Sequence, residues 1–290
     1  MQFGKFFLMK SLLILGAAGF LTAVQAETIP DYGPITTDAS AIERPGKIVW
    51  MDLVTSDVRA AAKFYRDIFN WQFKFSGNDS YAYATLNGKP VASIAAYDED
   101  VESGEGLWIA SISVEDVDAA ARRVKNQGGS IIEAPEDLPG RGRYTVIKDP
   151  TGAVVMLLRA SGGDPQSGGS VNGWLWAELW TDDVDAALRF YEKVAGYRSV
   201  TVKDGSGGVY QVMGRDQTPH ASVIKTPLPD VEPIWLPYLR VENVDATAKE
   251  ILKAGGSVIV PPQKDGLNDD VAIVADPAGG VFALQQKEAE

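Results

Sequence analysis

Cysteine is absent from the 290 residues, which excludes disulfides, thiolate metal sites and a lipid-modified N-terminal thiol, and leaves burial to supply the stability. Histidine occurs once, as His220, so no site built on two imidazoles exists in the chain. Positive charge is scarce: 27 Lys and Arg stand against 39 Asp and Glu, a net charge of −12. Such a field repels phosphate backbones and anionic membrane surfaces and argues against a nucleic-acid partner. Long apolar runs are missing too, with one exception. Leu12 to Val24 is uncharged, follows Lys5 and Lys10, and ends in Val24-Gln25-Ala26. That is the layout of a cleavable secretory signal over residues 1–26, and the run is short for a membrane span. The expected product is exported, periplasmic or secreted, with no stable membrane insertion once the signal is cut.

What the chain does have is repetition. An Asp or Asn, then Val, then small residues opening a helix, recurs at Asp57-Val58, Asp116-Val117, Asp183-Val184 and Asn243-Val244, each time after an apolar strand-like run. Trp50, Asp57, Phe64 and Tyr65 return 126 residues later as Trp176, Asp183, Phe190 and Tyr191; Trp108, Gly128-Gly129 and Asp149-Pro150-Thr151-Gly152 return 127 later as Trp235, Gly255-Gly256 and Asp276-Pro277-Ala278-Gly279. Each half is itself doubled, Trp50 to Asp57 mapping onto Ile109 to Asp116 at a shift of 59. Fourfold repetition fixes an architecture. The unit reads as β-α-β-β-β: a strand, a helix capped by the Asp and carrying one apolar stripe (Ala61, Phe64, Tyr65, Ile68), then short strands joined by tight turns such as Asp149-Pro150-Thr151-Gly152.

The expected layout is a signal over 1–26, an extended proline-containing leader with no core of its own over 27–46, a first module over 47–160, a Gly/Ser linker over 161–170 spanning roughly 17–19 Å when relaxed, and a second module over 171–288. Fragments 45–160 and 171–290 are expected to fold alone. Paired βαβββ units, the segment Gly142 to Ala153, and the helix ending Phe64-Tyr65 with Asn70-Trp71 after it resemble the vicinal oxygen chelate superfamily, which includes glyoxalases, bleomycin-resistance proteins and extradiol dioxygenases. The resemblance covers nearly all of residues 47–288 and implies an α+β fold in which two units make a half-open barrel around one cleft, two clefts in all.

The same resemblance implies metal ligands on four inward strand positions. In this chain those positions are Trp50, a residue near Ser93, Ile109 and Met156 in the first module, and Trp176, a residue near Ser222, Leu236 and Ala283 in the second. None suits a divalent ion, which prefers imidazole, carboxylate or thiolate, so no metal and no other cofactor is expected. His220 reads as a rim residue. Strand alternation places Asp52 beside Trp50 and Glu178 beside Trp176, with Ser111 and Ser113 facing the first cleft and Tyr238 and Arg240 the second. Buried carboxylates need partners. Glu178 with Arg240, and Asp52 with serine hydroxyls, are the structural pairings expected; an anchor or base for a small ligand is the functional alternative. Trp50 and Trp176 either wall a cleft or plug it. Arg141 and Arg143 are expected to pair in solvent with Glu133, Glu136 or Asp137, and Gly205 to Val209 reads as a loop.

The candidate ligand-binding set is therefore Trp50, Asp52, Ser111, Met156, Trp176, Glu178, Tyr238 and Arg240. The reading is a metal-free, small-molecule-binding protein for a polar or aromatic partner. A metal-independent lyase or isomerase using Glu178 or Asp52 as base, and an interaction protein with filled clefts, stand as the alternatives.

Overall fold

Each of the four repeated phrases starts a helix for the same local reason. Asp57, Asp116, Asp183 and Asn243 accept a hydrogen bond from the backbone N–H three residues on, at Ala60, Ala119, Ala186 and Ala246, which satisfies one of the free donors of the first turn. The computed structural model describes residues 32–37, 42–97, 106–166, 169–203, 209–264 and 270–286. The expected signal lies outside them, as do residues 98–105, 204–208 and 265–269 of the loops flanking the clefts.

The first module runs β1 (Ile48–Thr55), α1 (Val58–Phe69), β2 (Gln72–Phe75), β3 (Tyr81–Leu86), β4 (Lys89–Ala96), β5 (Leu107–Ser113), α2 (Val117–Asn126), β6 (Ser130–Leu138), β7 (Gly142–Lys148) and β8 (Val154–Ala160). The second repeats it as β9 (Trp174–Thr181), α3 (Val184–Val194), β10 (Arg198–Lys203), β11 (Val209–Arg215), β12 (Thr218–Lys225), β13 (Ile234–Arg240), α4 (Val244–Lys253), β14 (Ser257–Lys264), β15 (Asp270–Ala275) and β16 (Val281–Gln286). Each module is one eight-stranded sheet, ordered β2-β3-β4-β1-β5-β8-β7-β6 and β10-β11-β12-β9-β13-β16-β15-β14. The two units of a module meet at a central antiparallel pair, β1 with β5 and β9 with β13. The sheets do not close, so each is the half-open barrel of an α+β fold.

Alternation along the central strands divides the side chains between two faces. Met51, Leu53, Ala110 and Leu157 lie on the helical face with Ala177, Leu179, Leu239 and Leu284 of the second module, in one continuous core. Trp50, Ile109 and Met156 belong to a separate cluster on the concave face, as do Trp180, Leu236 and Ala283 in the second module. The helical faces thus pack on each other across the modules.

The residues that recur most faithfully make that junction. The Trp108 indole donates to the Tyr65 oxygen at 2.9 Å, and Tyr65 donates to Asp276 of the other module at 2.8 Å. Reciprocally, Trp235 donates to Tyr191 at 2.8 Å and Tyr191 to Asp149 at 2.9 Å. The other oxygen of Asp149 accepts the turn N–H groups of Thr151, Gly152 and Ala153 at 2.8–3.1 Å. Burial pushes both tyrosines well above their ordinary range, the neighbouring aspartate adding to the shift, and raises the Asp276 carboxyl. Trp174 and Phe282 insert among Tyr65, Phe69, Trp71 and Trp108, with 4.8 Å between the Trp108 and Trp174 ring centres. A helix stripe and a tight turn are thus also the interface between modules.

Candidate functional site

In the first cleft the register sets Asp52 opposite Ser93, Trp50 opposite Ser111, and Ser111 opposite Met156. The Trp50 indole donates to Asp52 Oδ1 and to Ser93 Oγ, each at 3.1 Å, and Ser93 donates to Asp52. The serine that holds Asp52 is therefore Ser93; the Ser111 hydroxyl is buried without a partner among the described residues, and Ser113 donates to Asp164 at the end of the strand.

Arg141 corrects the expectation of a solvated arginine. It is 2% exposed, lies over the Trp50 ring at 4.5 Å from the ring centre, and sets Nη1 3.5 Å from Asp52. A buried guanidinium needs a carboxylate and further acceptors, and it finds the acceptors in the leader, whose Ile35 packs with Trp50 and Met156. Arg143 stays at the surface with Asp137, as expected, and with Asp118. Glu133 accepts from Tyr144 at 2.7 Å, and burial pushes its carboxyl up to about 6 against that bond.

The second cleft has different chemistry. Trp176, Glu178 and Trp180 alternate onto the concave face of β9. Glu178 is 7% exposed and accepts from the Trp180 indole at 2.8 Å, Ser222 Oγ at 2.6 Å and the Tyr238 hydroxyl at 3.1 Å. Trp176 donates to Gln285 at 3.2 Å and lies 5.1 Å from the Tyr238 ring. The expected Glu178–Arg240 pair is not among the ion pairs of the described residues. Arg240 is the last residue of β13, past a register shift between Tyr238 and Leu239, and donates there to Gly169 of the linker at 3.1 Å. Sequence reasoning missed Trp180 and Gln285, although the alternation that finds Glu178 also reaches Trp180.

The inherited ligand positions fall on the concave faces, but their side chains do not fit a divalent ion. Trp50, Ile109 and Met156 offer no oxygen or imidazole nitrogen, Ser93 is spent on Asp52, and Leu236 and Ala283 are hydrocarbon. Among the described residues no three His, Cys, Asp or Glu side chains converge. His220 is half-buried on β12 near the Tyr197 ring, and burial and Lys47 hold its pKa below the usual value. A groove of about 610 Å³ between the modules is lined by Arg123, Lys193 and Arg215, but Arg215 is already paired with Glu115 at 2.6 Å. No helix of the described residues is long and apolar enough to cross a membrane.

The Glyoxalase/Bleomycin resistance protein/Dioxygenase superfamily profile matches residues 47–157 and again residues 173–284. CFP32 of Mycobacterium tuberculosis, whose name assigns it provisionally to the glyoxylases, is 35% identical over 247 residues, covering 83% of this chain and 95% of its own length. The anthracycline biosynthesis protein DnrV of Streptomyces peucetius is 31% identical over 258 residues, covering 83% and 93%. Among solved structures, the Mn(II)-bound glyoxalase from Novosphingobium aromaticivorans aligns with a TM-score of 0.59 at 15% identity over 84% of this chain and 83% of that one. An extradiol ring-cleaving dioxygenase from B. fuscum aligns with a TM-score of 0.60 at 14% identity over 90% and 75%. At such identities these two speak for the fold alone.

Proposed function

We propose that this chain, which belongs to the glyoxalase/bleomycin resistance protein/dioxygenase superfamily, binds a small molecule in its second cleft with the Glu178 carboxylate as anchor. The observation that carries the reading is a buried carboxylate held in place by Trp180, Ser222 and Tyr238 on a concave face walled by Trp176. A fixed negative charge among aromatic faces favours a guest with a cationic or hydrogen-bond-donating group on a flat apolar body. The name of DnrV links that relative to anthracycline biosynthesis, and aromatic walls suit flat guests of that general kind. Binding needs no metal in this reading, because the ligand positions hold hydrocarbon, indole and hydroxyl groups. A carboxylate engaged by three donors is better placed to hold a charge than to take up a substrate proton, which favours binding over base catalysis. Export remains part of the proposal on the strength of residues 1–26, and the first residue of the mature protein, Glu27 on this reading, checks it.

The test is Glu178→Gln. The amide oxygen can keep the Trp180 and Tyr238 bonds while the amide N–H donates to a rotated Ser222 hydroxyl, so the fold is retained and only the charge goes. Small aromatic amines, phenols and uncharged analogues are titrated against the full chain, with and without a metal chelator. Amines are expected to bind, to lose affinity about tenfold or more in the variant, near 1.4 kcal/mol, and to ignore the chelator. Affinity unchanged by Glu178→Gln, or binding that appears only with added metal, would sink the proposal.

A further inference from the structure

The first cleft is already occupied, and by this chain. Residues 32–36 precede the region matched by the superfamily profile, which starts at residue 47, yet they lie against the concave face as a bound peptide would. Arg141 donates from Nη2 to the Tyr32 carbonyl at 2.7 Å and from Nε to the Gly33 carbonyl at 3.0 Å. Tyr81 donates to the Tyr32 carbonyl at 2.9 Å, and Tyr83 donates to that of Pro34. The Tyr32 N–H donates to the Pro139 carbonyl at 3.0 Å. Ile35 enters the cluster of Trp50, Ile109, Tyr144 and Met156 and is 2% exposed. Gly33 has φ of +69°, and a side chain there would meet the Tyr83 ring at 3.0 Å. Three successive carbonyls are thus read by three side chains, and one branched apolar group fills a slot.

Of these readers only Tyr81 has a like counterpart in the second module, Tyr210; Tyr83 and Arg141 do not. The register places Val212 where the first module has Tyr83, since Tyr83 pairs with Ser93 and Val212 with Ser222, and the 127-residue shift puts Asn268 where the first module has Arg141. Arg141 is buried between Asp52 and the leader, and Asp52 Oδ2 is buried without a partner among the described residues. The Tyr83 and Arg141 part of the apparatus is specific to the cleft that the leader fills.

We propose that residues 32–36 are a tethered ligand of the first cleft: a plug that leaves without unfolding the module and whose chemistry, successive carbonyls about a positive-φ glycine and a β-branched side chain, defines the peptide segment this cleft accepts. A seated leader excludes other guests from the first cleft, and a displaced one frees Trp50, Asp52 and Arg141.

The absence of native cysteine makes the test direct, because a single introduced thiol reports on one place. In the full chain, Ile35→Cys is compared with Leu157→Cys, which reports the core on the opposite face of the same sheet, by thiol-labelling rate under native conditions. Local opening predicts that Ile35→Cys labels about 100-fold or more faster than Leu157→Cys, yet well below the rate of an exposed thiol. Adding Gly33→Val should raise the Ile35→Cys rate about tenfold without moving the rate of Leu157→Cys, and this substitution touches no core position if Arg141 variants fail to fold. An acetylated peptide of residues 32–37 at millimolar concentration, the range of effective concentration for a short tether, should accelerate labelling by holding the cleft. Equal rates at the two sites would make the leader fixed core, an unprotected rate at Ile35→Cys would mean it is not seated, and no acceleration by the peptide would reduce it to a lid; each overturns the proposal.

Discussion

Asp149→Ala is expected to lower the unfolding free energy by about 3–5 kcal/mol, measured by denaturant titration of the full chain. The Asp149 side chain accepts three turn N–H groups and the Thr151 hydroxyl on one oxygen, and the Tyr191 hydroxyl from the other module on its second. Each buried donor left without a partner costs roughly 1–3 kcal/mol, and the turn donors regain part of that from water. The Tyr191 hydroxyl, fully buried, regains nothing. Tyr191→Phe leaves the turn bonds in place but takes the acceptor from the buried Trp235 N–H and the donor from Asp149 Oδ2, so it should cost less than Asp149→Ala only by the share of the turn. Equal losses for the two would show that the junction and not the turn sets the energy, and a loss under about 1 kcal/mol for Asp149→Ala that neither does.

The second large effect concerns the halves. Fragments 45–160 and 171–290 look self-sufficient by length and repeat, but the shared core changes the expectation. Separation would expose Tyr65, Phe69, Trp71 and Trp108 on one piece and Trp174, Tyr191 and Phe282 on the other. At about 150–250 Å² of surface per aromatic side chain, such a patch exceeds what monomeric proteins usually show to water. Each fragment alone is expected to aggregate or to melt without a cooperative transition, and the two co-expressed to recover one stable species. Since each sheet is built within one half, recombination would report face-to-face packing rather than strands exchanged between halves. A soluble, cooperatively unfolding monomer of either fragment would refute this.

The contrast between what could be read in advance and what could not follows sequence distance. Helix starts, the apolar stripe and the tight turns depend on neighbours within a few residues, so Asp57, Ala61 and Asp149 declare themselves. Concave-face membership depends only on alternation from a repeated tryptophan, and Trp50, Asp52, Trp176, Glu178 and Tyr238 fall where parity puts them. Partners at long range do not follow from local rules. The Tyr65–Asp276 bond joins residues 211 apart, and the repeat shows that both matter without saying that they touch. Arg141 invited the reading of a surface ion pair because acidic residues surround it in sequence, whereas its acceptors come from a leader 108 residues earlier. Arg240 lies at the very end of its strand, where a carbonyl of the linker, 71 residues away in sequence, takes its guanidinium.

The junction also bears on how such a chain arose. Tyr65 meets Asp276 and Tyr191 meets Asp149, and by the repeat Tyr65 corresponds to Tyr191 and Asp149 to Asp276. Contacts that exchange in this way are the signature of an isologous interface, the kind that joins identical subunits about a two-fold axis. The molecule has the form of a symmetric homodimer fused end to end through residues 161–170. In a homodimer every mutation appears in both binding sites at once. Fusion removes that constraint, and the clefts have used the freedom: Val54 is replaced in the second copy by Trp180, Ser111 by Tyr238 and Leu158 by Gln285, while the Trp–Tyr–Asp contacts that hold the halves together remain the same.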